Sequence, residues 1–371
     1  MSNYVRPNIS SSTGYIPGEQ PSDTTTIKLN TNENPYPPSP RVLAAIHAIA
    51  PEQLRRYPNP NARPFREAAA KVHGVSADMI QTFNGGDELL ACAIRATAGE
   101  SDKVAFLEPS YSLYPVLTAV QGATALPIPY DLTEPSAPTQ MANGKWQMAN
   151  ALWSLPPNIE STAAAIMFIV NPNAPTGHFN PINRLIEIAR AFRGLLLIDE
   201  AYIDFAQQSA LALVRDLQLP NVILLRTLSK GYALAGLRFG YALAQPALLA
   251  QLEKVRDSYP CDAVAIAAAT AAIEDQPYAR STWARVISER IRLTESLRAL
   301  GFSVSDSQSN FLLAQAPNQS KLPAERIYLA LKDRGILVRW WDLPRIADKL
   351  RITVGTPEQN DKLVAELARL I

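Results

Sequence analysis

The sequence predicts an α/β fold built on a mainly parallel sheet, followed by a smaller α+β unit. Short apolar runs bounded by turn residues recur along the first two thirds of the chain, which is typical of strands buried on both faces. Segments with helical periodicity lie between most of these runs, which indicates βαβ connections. At 371 residues the chain also exceeds one ordinary hydrophobic core, so two lobes are expected.

The first forty residues differ in composition from the rest of the chain. They are rich in Pro, Ser, Thr and Asn and end in LNTNENPYPPSP. This composition predicts an extended arm with turns rather than a helix or a strand. Because an arm is ordered only when it lies on another surface, we expect residues 1–40 to pack against the remainder of the protein.

Helices and strands alternate from about residue 41. The helical segments are RVLAAIHAIA, FREAAAKVHG, DELLACAIRATAG and INRLIEIARAF, and the strand-like runs are KVAFLEPS, AAIMFIVNPN, GLLLIDEAY, VILLRTLSK and FGYALA. A polar stretch, roughly residues 131–160, predicts a long connection with at most one short helix. Residues 41–255 are therefore expected to form a large domain.

Longer helices follow residue 255. ARVISERIRLTESLRAL and AERIYLALKDRG have helical periodicity, and SNFLLAQ, GILVRWW and LRITVGT are strand-like. Residues 256–371 are expected to form a small α+β domain.

Composition and charge disfavour several classes of function. The 35 basic and 34 acidic residues nearly balance, which argues against a large nucleic-acid or membrane surface. The N-terminus has no secretory-signal pattern, and no apolar run approaches the roughly 18 residues of a membrane span. Cys92 and Cys261 predict no disulfide framework, and the scattered His47, His73 and His178 predict no metal site. A cytoplasmic location is expected.

Candidate catalytic groups follow the strand-like runs, since ligands of α/β sheets collect beyond the carboxyl ends of strands. Asp199 directly follows a buried run, with Tyr202 three residues on; a helix N-cap is the alternative reading of that Asp. Lys230 ends the next run, between Ser229 and a glycine, with Arg238 eight residues further. This cluster combines an amine with groups suited to a phosphate.

A second phosphate signal is the turn FNGGDELL. Two glycines before a helix leave backbone N–H groups free at the positive end of the helix dipole. The same dipeptide is also common in ordinary loops, so the signal is weak by itself.

Five segments in this order resemble the fold-type I aminotransferases that depend on pyridoxal 5′-phosphate (PLP): NGGDELL, EPSYSLYP, NPNAPTG, LLIDEAY and RTLSKGYALAGLRFGY. YIPGE, LNTNENPYPPSP, LRRYPNP, LVRWW and LRITVGT narrow the resemblance to the histidinol-phosphate aminotransferases. The matching segments extend from about residue 6 to residue 356. The resemblance implies a seven-stranded sheet, a homodimer, and an arm that packs on the small domain and the partner subunit.

The resemblance also implies roles around the PLP ring. Lys230 would hold the cofactor as a Schiff base and then act as base and acid. Asp199 would keep the ring nitrogen protonated, and Tyr202 would donate to the ring oxygen O3′. Tyr111 would stack on the ring, a core tyrosine being the alternative. The implied phosphate ligands are Gly86, Asp87, Thr227, Ser229, Arg238 and, from the neighbouring subunit, Tyr57.

Ala174 departs from the pattern of the family. The usual motif has Asn directly before Pro-Thr-Gly, where its amide donates to O3′, but NPNAPTG has alanine there. Asn173 or Asn171 would have to supply the amide, or Tyr202 would hold O3′ together with a water. We favour Asn173.

The substrate residues implied by the resemblance lie in the arm and near the C-terminus. Arg351 matches an arginine that binds the 2-oxoglutarate carboxylate, and Arg339 matches a second arginine for the substrate phosphate; a solvated strand end is the alternative for Arg339. Tyr15 and Asn310 are placed near the pocket. Trp340 and Trp341 are more typical of a core, although one of them would fit an imidazole pocket.

The leading hypothesis is transfer of the amino group of histidinol phosphate to 2-oxoglutarate, giving imidazole-acetol phosphate and glutamate, as in histidine biosynthesis. An aromatic or broad-specificity aminotransferase is the first alternative. A phosphothreonine decarboxylase is the second, because the segment around Lys230 does not exclude it. A PLP-binding regulator is disfavoured, since no helix-turn-helix segment precedes the arm.

Overall fold

The computed structural model describes residues 4–133, 139–140, 146–147, 152–317 and 319–371. The helices are α1 (Pro7–Ser10), α2 (Pro40–His47), α3 (Pro51–Leu54), α4 (Arg63–His73), α5 (Gly85–Thr97), α6 (Leu113–Gln121), α7 (Ile182–Ala191), α8 (Leu211–Arg215), α9 (Pro246–Glu253), α10 (Ala263–Glu274), α11 (Gln276–Ala299), α12 (Ala324–Asp333) and α13 (Pro357–Leu370). The strands are β1 (Ile27–Lys28), β2 (Ile80–Phe83), β3 (Lys103–Glu108), β4 (Thr124–Pro129), β5 (Asp131–Thr133), β6 (Thr139–Gln140), β7 (Trp146–Gln147), β8 (Leu152–Ser154), β9 (Ile166–Val170), β10 (Leu195–Asp199), β11 (Val222–Thr227), β12 (Gly240–Ala244), β13 (Ser303–Val304), β14 (Phe311–Gln315), β15 (Ile336–Leu337) and β16 (Lys349–Thr353).

The central sheet has seven strands in the order β2-β12-β11-β10-β9-β3-β4. Four of its six neighbour pairs are parallel, and the other two are antiparallel because β12 runs opposite to both β11 and β2. The fold class predicted from the sequence is thereby confirmed. Because β12 is reversed, the residue that precedes it lies at the same edge as the carboxyl ends of the other strands.

Consecutive residues of the central strands enter two different cores. In β9, Met167 and Ile169 pack with α4, α7 and α10, whereas Ile166 and Phe168 pack with α5, α6 and α9 on the opposite face. Since side chains alternate across a strand, an apolar residue at every position means that both faces are covered. The result is a three-layer arrangement of helices, sheet and helices.

The C-terminal part of the chain has its own antiparallel sheet in the order β13-β14-β16. Its core combines residues of α11, α12 and α13 with those of the three strands, and it also includes Ile27 and Leu29 of the arm. The domain boundaries at residues 40 and 255 remain predictions. None of the helices in the described part of the chain combines the length and apolarity needed to cross a membrane.

The arm is more regular than its composition predicts. It contains the short helix α1, which begins at a proline, and the two-residue strand β1, which pairs with β15. The prediction that the arm contains neither a helix nor a strand was therefore wrong for α1 and β1. Arg6 and Asn8 donate to the backbone carbonyls of Val120 and Ala119, so the start of the arm also contacts the end of α6.

The polar stretch expected as a plain connection also contains strands. β5 pairs with β8, and β6 pairs with β7. The expectation for residues 131–160 was wrong for these strands, and its remaining part includes residues outside the described ranges.

Candidate active site

A cavity of about 520 Å³ lies at the carboxyl edge of the central sheet. Its walls come from the sheet, the arm and the C-terminal part, and most of the predicted site residues line it: Tyr15, Gly86, Asp87, Tyr111, Asp199, Tyr202, Thr227, Ser229, Lys230, Arg238, Arg339 and Arg351. The topology explains this meeting. Asp199 and Thr227 end the adjacent strands β10 and β11, and Arg238 lies two residues before the reversed strand β12 begins.

Lys230 presents its amine inside this cavity. Its Nζ donates to the backbone carbonyl of Thr31 in the arm at 2.9 Å and lies 5.9 Å from the centre of the Tyr202 ring. Burial lowers the pKa of Lys230 to about 8, and the charge of Arg351 acts in the same direction. A lysine with this pKa is partly deprotonated near neutral pH, which a nucleophilic amine requires.

Asp199 is a buried carboxylate held by two donors. Its Oδ2 accepts from the hydroxyl of Tyr114 at 3.0 Å, and its Oδ1 accepts from the backbone N–H of Ala201 at 3.0 Å. Burial raises the pKa of Asp199 to about 6, while these two hydrogen bonds act in the opposite direction. The carboxylate is therefore ionised at neutral pH and faces the cavity with a negative charge.

The first turn of α5 forms a narrow cradle beside Arg238. A Cβ at Gly85, whose φ is +82°, would come within 2.7 Å of Nη2 of Arg238, and a Cβ at Gly86 would lie 3.2 Å from Leu225. The helix begins at Gly85, two residues earlier than it would if both glycines belonged to the preceding loop. Its free N–H groups and the guanidinium are what a phosphate requires.

The polar side chains around the cradle are tied to one another. The carboxylate of Asp87 accepts from Arg238 at 3.3 Å and from the Tyr111 hydroxyl at 3.2 Å, which leaves its backbone N–H for an anion. The hydroxyl of Thr227 donates to that of Ser229 at 3.0 Å. All of these groups line the cavity.

Tyr15 and Tyr111 line the cavity side by side, and the buried Tyr114 packs against Tyr111. Tyr111 makes edge-to-face contacts with Tyr15 of the arm and with Tyr114, each at 5.7 Å between ring centres. The arm thus brings Tyr15 to the cavity as expected, and Tyr111 presents an aromatic surface rather than lying wholly in the core.

Arg339 and Arg351 face each other across an antiparallel backbone bridge. The N–H of each donates to the carbonyl of the other, at 3.0 and 2.8 Å, so both side chains leave the backbone on the same side. Trp341 lies between them, with its ring 5.2 Å from one guanidinium carbon and 5.0 Å from the other. Burial lowers the pKa of Arg351 to about 10, and the charge of Arg339 contributes to the shift.

No ion pair between described residues includes either arginine. Like charges directly opposite each other on an antiparallel pair are destabilising. Arg339 and Arg351 therefore form a site in which a bound anion would relieve the repulsion.

Asn173 does not line the cavity. Its amide donates to the carbonyl of Pro109 at 3.1 Å and to the hydroxyl of Thr176 at 2.8 Å, so both N–H groups are used inside the loop. Asn171 is likewise held by Asn180 through two hydrogen bonds. The expectation that Asn173 donates to O3′ is therefore corrected. Ala174 does line the cavity and contributes only a methyl group.

Asn310 and Tyr57 also lie outside the cavity of this chain. Asn310 is fully buried and donates to the backbone carbonyl of Asn32 at 2.9 Å, so it supports the arm from behind instead of facing a substrate. Tyr57 is 81% exposed and stacks on the exposed ring of Tyr259 at 4.5 Å. A partner subunit is required if Tyr57 is to reach any site.

Asn32 in the cavity lining and Tyr114 beside the cavity were not identified from the sequence as functional, and Trp341 was left as one of two candidates for an imidazole pocket. Tyr114 donates to Asp199. Its position three residues after Tyr111 in PSYSLY, a helical spacing, is the sequence signal that could have identified it. Asn32 lines the cavity and lies in LNTNEN, a segment that indicated the arm and the family resemblance but no site residue. Trp341 lines the cavity, whereas Trp340 donates to the carbonyl of Ala347 and stacks on Tyr328 in the core.

Comparisons with known proteins agree with this geometry. Residues 24–367 match the family Aminotransferase class I and II. Histidinol-phosphate aminotransferase 1 of Trichormus variabilis is 48% identical, with all of both chains covered, and the histidinol-phosphate aminotransferase of Citrifermentans bemidjiense is 42% identical over 99% of this chain and 98% of its own length. The crystal structure of the Sinorhizobium meliloti histidinol-phosphate aminotransferase in complex with PLP superposes with a TM-score of 0.84, at 26% identity over 100% and 98% of the two chains.

A half-buried lysine just beyond one strand and a buried aspartate at the end of the next, with a phosphate cradle beside them, define a PLP-dependent aminotransferase of fold type I. The chain belongs to the class I and II aminotransferases and, within them, to the histidinol-phosphate aminotransferase family. Its cofactor is PLP. The lysine amine, the Asp199 carboxylate and the cradle fit the aldehyde, the ring nitrogen and the phosphate of this cofactor.

Proposed function

We propose that this enzyme transfers the amino group of histidinol phosphate to 2-oxoglutarate, giving imidazole-acetol phosphate and glutamate in histidine biosynthesis. The observation that carries the substrate assignment is the pair Arg339 and Arg351, whose guanidinium groups face one cavity without an acidic partner among the described residues. Two guanidinium groups suit a dianionic phosphate, since each can bind it through two hydrogen bonds. The names of the relatives support the same substrate.

In the proposed mechanism Lys230 would hold the cofactor through Nζ, whose amine lies in the cavity. Bound PLP supplies the electron sink that makes the Cα proton of the amino donor acidic. The Nζ of Lys230, once free, would act as the base that takes this proton and as the acid that returns it. A pKa of about 8 suits both directions of this transfer near neutral pH.

Asp199 and Tyr202 are assigned to the two polar edges of the cofactor ring. The ionised Asp199 carboxylate keeps a proton on the ring nitrogen, and the Tyr114 hydroxyl fixes its direction. Tyr202 donates to the ring oxygen, and Tyr111 covers one face of the ring. Gly86, Asp87, Thr227, Ser229 and Arg238 hold the phosphate.

The substrate end of the cavity completes the assignment. Arg351 binds the carboxylate of glutamate or 2-oxoglutarate and, together with Arg339, the phosphate of the amino donor. Trp341 adds an aromatic surface between the two guanidinium groups, and Tyr15 closes the cavity from the arm.

A single half-reaction tests this function. Purified holoenzyme is mixed with equal concentrations of histidinol phosphate, phenylalanine, tyrosine or phosphothreonine, and the visible absorption of the lysine-bound cofactor is followed. We expect histidinol phosphate to bleach the band fastest. Bleaching by an aromatic amino acid but not by histidinol phosphate would contradict the assignment, and release of carbon dioxide from phosphothreonine would indicate a decarboxylase.

We also propose a homodimer in which Tyr57 enters the partner's cofactor site, and a cytoplasmic location. The exposed Tyr57 and Tyr259 rings support the dimer, and the free buried Cys92 and Cys261 fit a reducing compartment. Mixed dimers of Lys230→Ala and Tyr57→Ala chains contain one intact site if the site is shared. Mixing the two variants should then raise activity above the sum of the separate samples, and no gain would contradict a shared site.

A further inference from the structure

The N-terminal arm makes a side-chain contact with Tyr202 that its composition does not indicate. Asn32 is 2% exposed, lines the cavity, and donates through Nδ2 to the Tyr202 hydroxyl oxygen at 3.0 Å. Its φ of +57° is a left-handed conformation that Asn adopts more readily than most residues. The arm is thus folded tightly at the point where it touches the tyrosine.

The hydrogen bonds of Thr353 fix which end of the Asn32 amide faces Tyr202. The backbone N–H of Asn32 can only donate, and it donates to Oγ1 of Thr353 at 3.0 Å. The Thr353 hydroxyl then gives its own proton to Oδ1 of Asn32, at 3.1 Å. Since Oδ1 is used as an acceptor there, the NH₂ group faces Tyr202. Asn310 holds the backbone of the same residue in place.

This arrangement determines where the proton of Tyr202 points. The phenol oxygen already accepts from Asn32, so its own proton requires another acceptor. The ring packs against Ala174 and, edge to face at 5.0 Å, against Phe311, and neither side chain accepts a hydrogen bond. The remaining direction leads into the cavity.

We propose that Asn32 is a positioning residue that turns the Tyr202 proton towards the ring oxygen of the bound cofactor. The inference rests on the proposed cofactor site, in which Tyr202 faces that oxygen. It also explains how the site functions with a methyl group at Ala174, because one firmly oriented hydroxyl then carries the contact.

Two substitutions of Asn32 test the proposal in the holoenzyme without substrate. Asn32→Gly keeps the left-handed backbone and removes the donor, whereas Asn32→Asp keeps the size and replaces the donor with an acceptor that draws the Tyr202 proton away. A donor to the ring oxygen stabilises its anionic form. Both variants should therefore raise the pH midpoint of the visible absorption change, by about half a unit to one unit, with the larger shift for Asn32→Asp.

The same substitutions in a Tyr202→Phe background separate positioning from other effects. If Asn32 acts through Tyr202, Asn32→Gly adds no shift there, and Asn32→Asp adds only the part due to its charge. An Asn32→Gly shift of undiminished size in that background, or an unchanged midpoint in both single variants, would overturn the proposal.

Asn158 supplies a matched control. It is an exposed asparagine with a φ of +59°, and the same two substitutions there should leave the midpoint unchanged. If the Asn32 variants do not fold, Thr353→Val decides: loss of the orienting hydroxyl should give a smaller shift of the same sign, and no shift would count against the proposal. Failure of the proposed cofactor site would give a different result. The wild-type protein would then lack a visible absorption band that depends on Lys230.

Discussion

The two ends of the cavity are built in different ways. The cofactor end stands on one sheet, where Asp199 is in register with Leu225 of the neighbouring strand and Lys230 follows three residues after that strand's last residue. The substrate end joins Arg351 of the C-terminal sheet, Arg339 of the segment bridged to it, and Tyr15 of the arm. Backbone hydrogen bonds between neighbouring strands fix distances at the first end. At the second end they join only the two arginines, and Tyr15 is held there by its ring contact with Tyr111.

This difference predicts different responses to substitution. A change at the cofactor end should affect every substrate, because all of them use the same chemistry at the same rigid sheet edge. A change at the substrate end should discriminate between substrates. This division would be contradicted if substitution of a residue at one end affected the substrates in the way expected for the other end.

The largest effect is expected for Lys230→Ala. Loss of Nζ removes both the attachment point and the base, so the visible band should vanish and turnover should fall by about 10⁴-fold or more for every donor. Absorption spectra and steady-state rates measure the two losses. Lys254→Ala serves as the control and should change neither, because Lys254 is exposed and its amine donates to the side chain of Gln251.

Asp199→Asn should have the next largest effect. The amide keeps the shape but loses the charge that holds a proton on the ring nitrogen, so kcat should fall by about 10²–10³-fold with all donors. Tyr114→Phe removes only one hydrogen bond to this carboxylate and should lower kcat by roughly tenfold or less. An Asp199→Asn enzyme with a changed KM and an unchanged kcat would contradict the assigned role.

Substitution of the two arginines should separate the substrates. Arg339→Met should raise the KM for histidinol phosphate by about 10–100-fold, since a charge-assisted contact to the phosphate is lost, and should leave the glutamate half-reaction within about threefold. Arg351→Met should impair both half-reactions. Equal losses with both substrates in Arg339→Met would show that Arg339 is not specific for the phosphate.

The sequence predicted the cofactor end better than the substrate end for a physical reason. Lys230, Asp199 and Arg238 lie in contiguous motifs at strand ends, and a parallel sheet brings such ends together. The family resemblance placed Asn173 and Asn310 at the site, but their amides donate to the backbone carbonyls of Pro109 and Asn32. Spacing along the chain does not reveal which way a buried amide points, because that depends on contacts made by distant residues.

The fold shows the same limit. The buried runs and the intervening helices predicted the central sheet, since each run is apolar at every position. The two-residue strand β1 was missed because it exists only through pairing with β15, more than 300 residues away in sequence. Local composition contains no signal for such a pairing.

The smallest expected effect links the two ends through the pKa of Lys230. Burial is the main cause that lowers this pKa to about 8, and the charge of Arg351 is the second. The rate at which PLP recombines with the apoprotein should therefore rise with pH around a midpoint near 8, as the amine loses its proton. Arg351→Met should move the midpoint upward by less than about one unit, since burial remains.

The free energy of unfolding should change with pH in the direction opposite to that expected for most lysine ion pairs. Because the folded-state pKa of Lys230 lies below the ordinary value of 10.5, the unfolded chain binds more protons between pH 8 and 10.5, and this lysine favours the folded apoprotein increasingly as the pH rises through that window. Arg351→Met should raise the lower limit of this pH window, because it raises the pKa of Lys230. Arg339→Met is the matched control, as its guanidinium is not among the charges that shift Lys230, and a midpoint that moved equally in both variants would show that the two ends are not coupled through Arg351.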